Sequence, residues 1–150
     1  MVKTQAETLI HCPAPQVFGF VAEDFVRNYP RWSPEVKRIS ALSDGPIQVG
    51  WTGQQVRIDA GRRSESRFRV IAFEPERCLI FQGISDPYQI DYWFEPVGAH
   101  TRVVFVFELQ RLKLTLRPFE PLIRRVAQDS TERTVSNLKS LIETELVGRL

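Results

Sequence analysis

Residues 51–70 read Trp-Thr-Gly-Gln-Gln-Val-Arg-Ile-Asp-Ala-Gly-Arg-Arg-Ser-Glu-Ser-Arg-Phe-Arg-Val. Two alternating runs flank Ala60-Gly61, a pair suited to a two-residue turn because Gly accepts positive φ without steric cost. Such a turn pairs Asp59 with Arg62, Arg57 with Ser64, Gln55 with Ser66, Gly53 with Phe68 and Trp51 with Val70. Side chains alternate across a strand, so these residues share one face. The opposite face carries Arg63, Glu65, Arg67 and Arg69. Four long charged residues in alternation belong in water, so the face with Trp51, Phe68 and Val70 is predicted to point inward. A turn one residue longer would reverse the faces and bring Arg67 and Arg69 inside.

This register also places Gln55, Arg57, Asp59, Ser64 and Ser66 on the inner surface, toward the Gly61 end. An apolar wall that merges into one Arg and several neutral hydrogen-bonding groups suits an amphipathic ligand. The competing reading of the same residues is a solvated rim, with Arg57 and Asp59 paired in water.

On either side the chain changes texture. Residues about 3–11 read as a strand, and Pro13 and Pro15 open a short helix carrying Val17, Phe18, Phe20 and Val21. A second short helix or turn around Asp24–Asn28 is predicted to stop before Pro30, because Pro biases Tyr29 out of the helical region. From Val36 to Leu112, turn signals divide β-rich runs into about six antiparallel strands. If the turn at Glu74–Arg77 has four residues, Ala72, Leu79 and Phe81 continue the inner face, joined by Ile90, Tyr92, Phe94, Val103, Phe105 and Phe107. Beyond Pro118 and Pro121, Leu122, Val126, Leu138, Leu141, Ile142 and Leu146 recur at three- and four-residue steps, as in an amphipathic helix of about 25 residues. Ser130, Thr134 and Asn137 interrupt that stripe, and the helix's rotation is left open.

Composition sets bounds. The chain's 150 residues are of one-domain length, and no repeat or linker divides residues 1–150. Twenty basic against eighteen acidic residues leave a net charge of +2, which lacks the basic excess that nonspecific nucleic-acid binding requires. Sixteen of the cations are Arg, the residue suited to a partly buried cation or an oxyanion grip. Two cysteines, Cys12 and Cys78, are too few for a disulfide framework, and no apolar run approaches a membrane span. The expectation is a cytoplasmic protein with reduced thiols, without stable membrane insertion, and with its oligomeric state open, a homodimer included.

Several segments resemble the helix-grip superfamily of START and Bet v 1-like domains, in particular its bacterial polyketide cyclase/dehydrase-like branch. They are Ile10-His11-Cys12-Pro13-Ala14-Pro15-Gln16-Val17-Phe18, Trp32-Ser33-Pro34-Glu35-Val36, Gly45-Pro46-Ile47-Gln48-Val49-Gly50, Phe73-Glu74-Pro75-Glu76-Arg77 and Phe94-Glu95-Pro96-Val97-Gly98-Ala99-His100-Thr101-Arg102-Val103. In the third, Trp51-Thr52 follows where many relatives have Thr directly after the second Gly. The resemblance implies an α+β helix-grip fold: one strand, two short helices, six strands and a long helix, the curved sheet wrapping round that helix. It also implies a cavity for a hydrophobic or aromatic small molecule, polyketide- or lipid-like. The superfamily has no shared catalytic motif to carry onto this chain, so fold alone does not give activity.

Candidate ligand contacts are therefore Trp32, Trp51, Gln55, Arg57, Ser64, Ser66, Phe68, Phe81, Tyr92 and Phe105. Trp32 either gates the cavity mouth or caps the core. The leading reading is ligand binding. The alternatives are a cyclase or dehydratase, with Arg57 polarising a carbonyl and Asp59 as acid or base, and a lipid or quinone carrier. Proton transfers around an enol need no cofactor, and none is expected. No metal is expected either, since His11, Cys12, Cys78 and His100 form no ligand spacing. The cations Arg111, Lys113, Arg117, Arg124 and Arg125 cluster before and within the terminal helix, where a solvated helix start is preferred to a membrane or partner contact.

Overall fold

A computed structural model describes residues 1–147. Strand β1 (Val2–Ile10) leads to helix α1 (Ala14–Phe18), which continues through a π-helical turn (Gly19–Glu23) to α2 (Phe25–Trp32). Six strands follow: β2 (Val36–Ala41), β3 (Thr52–Asp59), β4 (Arg62–Glu74), β5 (Cys78–Gly83), β6 (Tyr88–Val97) and β7 (His100–Leu109). A 3-10 segment (Leu114–Phe119) precedes the long helix α3 (Glu120–Ile142), and a π turn (Glu143–Val147) closes the described chain. The strands form one antiparallel sheet in the order β1-β7-β6-β5-β4-β3-β2. Meander connections set all but one neighbour, and β1 returns to pair with β7, Thr4 opposite Phe107. With α3 laid against this sheet, the helix-grip architecture is as expected.

The β3–β4 hairpin has the predicted register, with Asp59 opposite Arg62, Arg57 opposite Ser64 and Gly53 opposite Phe68. Ala60 and Gly61 have φ of 51° and 82°, so both turn residues are left-handed, as the twist of a two-residue hairpin requires. Trp51, Gly53, Gln55, Phe68 and Val70 are buried, while Arg63, Glu65, Arg67 and Arg69 lie on the far face.

Two expectations need correction. Pro30 lies inside α2 instead of ending the helix before it. Phe25, Tyr29 and Trp32 form a buried stripe that only helical spacing can build, with Phe25 stacked on Tyr29 at 4.5 Å between ring centroids. Their burial outweighs the one backbone hydrogen bond lost to the proline, which falls in the last turn. The β4–β5 turn is also shorter than four residues, because Glu74 pairs with Cys78. A bulge between Val70 and Ala72 shifts the alternation, so Phe73 opposes Leu79 and turns inward against Phe18, displacing Ala72 from that face.

The second half of α3 supplies Val135, Leu138 and Ile142 to the core. Beyond it, Glu143 fastens the helix end to the end of β1: its carboxylate accepts from the His11 backbone N–H at 2.9 Å and from Lys139 at 2.7 Å. Lys139 also donates to the Leu9 carbonyl at 2.6 Å. Burial alone would raise the Glu143 carboxyl, but the hydrogen bonds from Lys139 and His11 and their charges outweigh it and hold the group below its ordinary 4.5.

Two measurements check this account. A Cβ at Gly53 would stand 2.7 Å from the Trp51 ring and 2.8 Å from the Phe68 ring. Gly53→Ala should therefore cost about 1–3 kcal/mol through overpacking, lowering Tm by several degrees; an unchanged melt would mean the rings yield freely. Glu143→Gln should cost about 0.5–1 kcal/mol at neutral pH, a partly exposed pair being screened. A depressed carboxyl stabilises the fold while ionised. The gap between parent and variant should therefore be full above 4.5, the ordinary value, and close as pH falls through the lowered one. A gap that persisted in acid would refute the clamp.

Candidate functional site

The space between the inner sheet face and α3 is filled at one end and hollow at the other. Under α2, aromatic rings fill it: Phe25 meets Phe81 at 5.3 Å and Phe68 at 6.2 Å, Phe68 meets Phe81 at 4.7 Å, and Trp51 meets Phe68 at 6.0 Å. Under the first half of α3, the helix presents the short side chains Ala127, Ser130, Thr131 and Thr134 inward, and of these Thr131 meets the sheet at Thr4 of β1. A cavity of about 640 Å³ remains.

Its wall has two textures. Ile90, Tyr92, Phe105, Phe107 and Leu109 from β6 and β7 face Leu122, Ile123, Val126 and Ala127 of α3 and make it apolar. Toward the hairpin tip it becomes polar, with Gln55, Arg57, Asp59, Ser64, Glu65 and Ser66 joined by Tyr29, Ser33, Asp86 and Tyr88. The strand alternation that buries Phe68 also turns Gln55, Arg57, Asp59, Ser64 and Ser66 inward, while Glu65, on the far face, joins the wall at its exposed rim. Asp59, Ser64, Glu65, Asp86, Leu122 and Val126 are wall residues that also reach solvent, and they mark the opening.

A chain of hydrogen bonds fixes the polar end. The Tyr29 hydroxyl donates to Gln55 Oε1 at 3.2 Å, and Gln55 Nε2 donates to the Tyr88 hydroxyl at 3.0 Å. The Tyr88 and Ser66 hydroxyls share a bond of 3.2 Å. Gln55, buried to 3% exposure, orients both tyrosines. The Arg57 side chain is three-quarters buried, and its guanidinium grips Asp59 through Nε at 3.2 Å and Nη2 at 3.1 Å.

Protonation follows from this geometry. Burial pushes the Tyr29 hydroxyl up to about 12 despite the lowering effect of Arg57, and burial raises Tyr88 and Tyr92 as well. Burial pulls Arg57 down, but Tyr29, Asp59 and Glu35 outweigh it and raise it further above its ordinary range. At neutral pH the polar end therefore offers a fixed cation and protonated hydroxyls. Such a set suits a ligand oxygen, neutral or anionic.

Of the residues singled out from sequence, Gln55, Arg57, Asp59, Ser64, Ser66, Tyr92 and Phe105 stand together in this wall. Trp32, Trp51, Phe68 and Phe81 do not, because α2 covers that part of the inner face and makes it core. Trp32 is fully buried and caps the core; its Nε1 donates to the Tyr92 hydroxyl at 3.1 Å. Ser130 and Thr134 face the cavity, whereas Asn137 donates to the Trp32 carbonyl at 3.1 Å. His11 and His100 lie outside the wall, their rings 4.7 Å apart.

Sequence reasoning passed over Tyr29 and Tyr88. Tyr88 opens the alternation that continues as Ile90, Tyr92 and Phe94, so the signal was there; Tyr29 was hidden by the proline after it. Leu122 and Val126 were expected in the core stripe of the terminal helix. They are instead 61% and 58% exposed, because the sheet beneath them falls away into the cavity.

The same fold occurs in distant relatives. A Thermus thermophilus protein superposes with a TM-score of 0.80 at 17% identity, over 96% of this chain and 99% of that one. The Zhui aromatase/cyclase of Streptomyces sp. R1128 superposes at 0.74 with 13% identity, over 97% of each chain. The major latex-like protein 151 of Panax ginseng does so at 0.68 with 13% identity, over 92% of this chain and 95% of that one. No curated protein matches the chain. At such identities the superpositions establish the fold alone. The sequence itself, however, matches the family model described as polyketide cyclase/dehydrase and lipid transport over residues 1–143, and to that family the chain belongs.

Proposed function

We propose that this protein binds an amphipathic small molecule, with a hydrophobic polyketide- or lipid-like body along β6, β7 and α3 and an oxygen-bearing end at Arg57, Tyr29 and Tyr88. The observation that carries this is the polarity of the cavity: about 640 Å³, apolar at one end and lined by fixed donors at the other. Ligand sites commonly combine apolar walls with a few placed polar groups. The polyketide and lipid chemistry in the family's description and the likeness to an aromatase/cyclase support the choice of ligand body.

A second reading is favoured by the Arg57–Asp59 pair at the cavity rim. Arg57 and the tyrosine hydroxyls would stabilise the oxygen of an enolate, and Asp59 would carry the proton to or from carbon. Such a role fits a cyclisation or dehydration. Asp59 is about half exposed, however, and both its oxygens are already engaged by Arg57. Binding therefore ranks ahead of catalysis.

Titration with an anionic anilinonaphthalene fluorophore tests the first reading. Arg57→Gln should weaken capture about 10- to 100-fold, since a hydrogen bond to a charged group contributes about 1.5–3 kcal/mol. Ala127→Trp, which fills the apolar end, should abolish capture while the protein still melts cooperatively. Undiminished affinity in both would eliminate this cavity as the binding site. For catalysis, the parent should speed deuterium uptake at the central carbon of an aryl 1,3-diketone, followed by NMR in D2O, and Asp59→Asn should remove the acceleration. No acceleration over buffer would sink that reading.

A further inference from the structure

The segment that leads into α3 is unusual in what it leaves exposed. Leu114, Leu116 and Phe119 of the 3-10 segment are 73%, 41% and 55% exposed, and Leu122 and Val126 continue the strip along α3. A solvated helix start accounts for exposed charges, but it does not account for five large apolar side chains between them. Scattered apolar surface residues are ordinary, whereas a contiguous patch marks an interaction site.

The charges around the strip have one sign. Residues 110–126 hold five cations, Arg111, Lys113, Arg117, Arg124 and Arg125, and one carboxylate, Glu120. Glu120 is taken up by Arg124 and the N-terminal amine. Among the described residues no salt bridge holds Arg111, Lys113, Arg117 or Arg125, and all four are exposed. Across the opening the hairpin tip carries two ion pairs, Arg57 with Asp59 and Arg63 with Glu65, beside the exposed Arg62. The strip runs directly into the cavity mouth, because Leu122 and Val126 belong to both.

We propose that this strip is a docking surface for an anionic lipid bilayer. Leu114, Leu116 and Phe119 enter the headgroup boundary, the free cations meet anionic headgroups, and the cavity opens toward the membrane. Apolar side chains flanked by Lys and Arg form the pattern of interfacial binding, in which the apolar area and the charges act together. An acidic protein partner would be matched by the cations but would leave exposed leucines without a counterpart, and a second copy would set like charges against each other. Attachment is peripheral, since no helix among the described residues is long and apolar enough to cross a membrane. The surface adds to the ligand-binding reading without depending on it, and its test does not pass through the cavity.

Cosedimentation with vesicles tests the proposal, comparing pure phosphatidylcholine with phosphatidylcholine containing about 30 mol% phosphatidylserine. The parent should pellet with the anionic vesicles, bind neutral ones far more weakly, and be released as salt screens the headgroups. K113Q/R117Q/R125Q should weaken binding about 100-fold, from roughly fivefold for each cation near such a surface. L114S/F119S should also lose binding, about tenfold or more. Both sets lie on exposed side chains outside the cavity wall, so far-UV circular dichroism and fluorophore capture should match the parent. The proposal is overturned if the parent fails to pellet with anionic vesicles, or if either variant pellets as the parent does. Concentration-dependent dimerisation of the parent that L114S/F119S removes would overturn it too, assigning the strip to a second copy.

Discussion

The two-residue turn at Ala60-Gly61 is the constraint on which the site depends. A strand has a side-chain period of two, so one added residue would send every inner side chain of one hairpin strand to the outside. Both turn residues hold positive φ, which Gly61 accepts freely and Ala60 adopts at some steric expense. Fixing that turn sets Gln55, Arg57 and Ser66 on the same surface as Phe68. The same hairpin thus supplies part of the aromatic core and part of the polar end of the cavity. Residues that look unrelated in the sequence share a face because the pairing leaves them no other.

A cavity also requires something to stop the core from closing, and here the two helical regions divide the work. The stripe Phe25, Tyr29 and Trp32 is bulky enough to reach the sheet and fills the space under α2. The facing stripe of α3 changes along its length, from Ala127, Ser130, Thr131 and Thr134 to Val135, Leu138 and Ile142. Small residues at helical spacing hold the helix above the sheet without filling the gap. Thr131 is also tied to Thr4 of β1 by a buried hydroxyl bond of 2.7 Å. That bond keeps α3 on the sheet at a point where its apolar contacts are few.

The fold and the hairpin face were readable because they depend on periods and turns, which are local. Alternation from Tyr88 to Phe94 and from Val103 to Phe107 read true for the same reason. What failed depended on contacts between distant segments. Pro30 is a sound local signal for a helix end, and it was overruled by Tyr29 stacking on Phe25 and reaching Gln55. The bulge near Ile71 leaves no local mark, so Ala72 seemed to point inward where Phe73 does. Trp51, Phe68 and Phe81 were assigned to the correct face but to the wrong half of it, since sequence does not say where α2 lies. The rotation of α3 was equally hidden: whether Leu122 is core or lip depends on how much sheet remains beneath it.

A net charge of +2 describes this protein poorly, because its cations are sorted by environment. Arg63, Arg67 and Arg69 stand in water on the outer sheet face. Arg57 is three-quarters buried beside Tyr29 and Asp59, where removing its charge would leave a buried hydroxyl network facing an unpaired carboxylate. A cation in such a place is costly to desolvate and gains little stability from its one partner. The Lys and Arg of residues 110–126 carry a different penalty, repelling one another around exposed leucines. Under the proposed readings both become favourable once something outside the chain adds a partner, a ligand oxygen for Arg57 and an anionic surface for the strip.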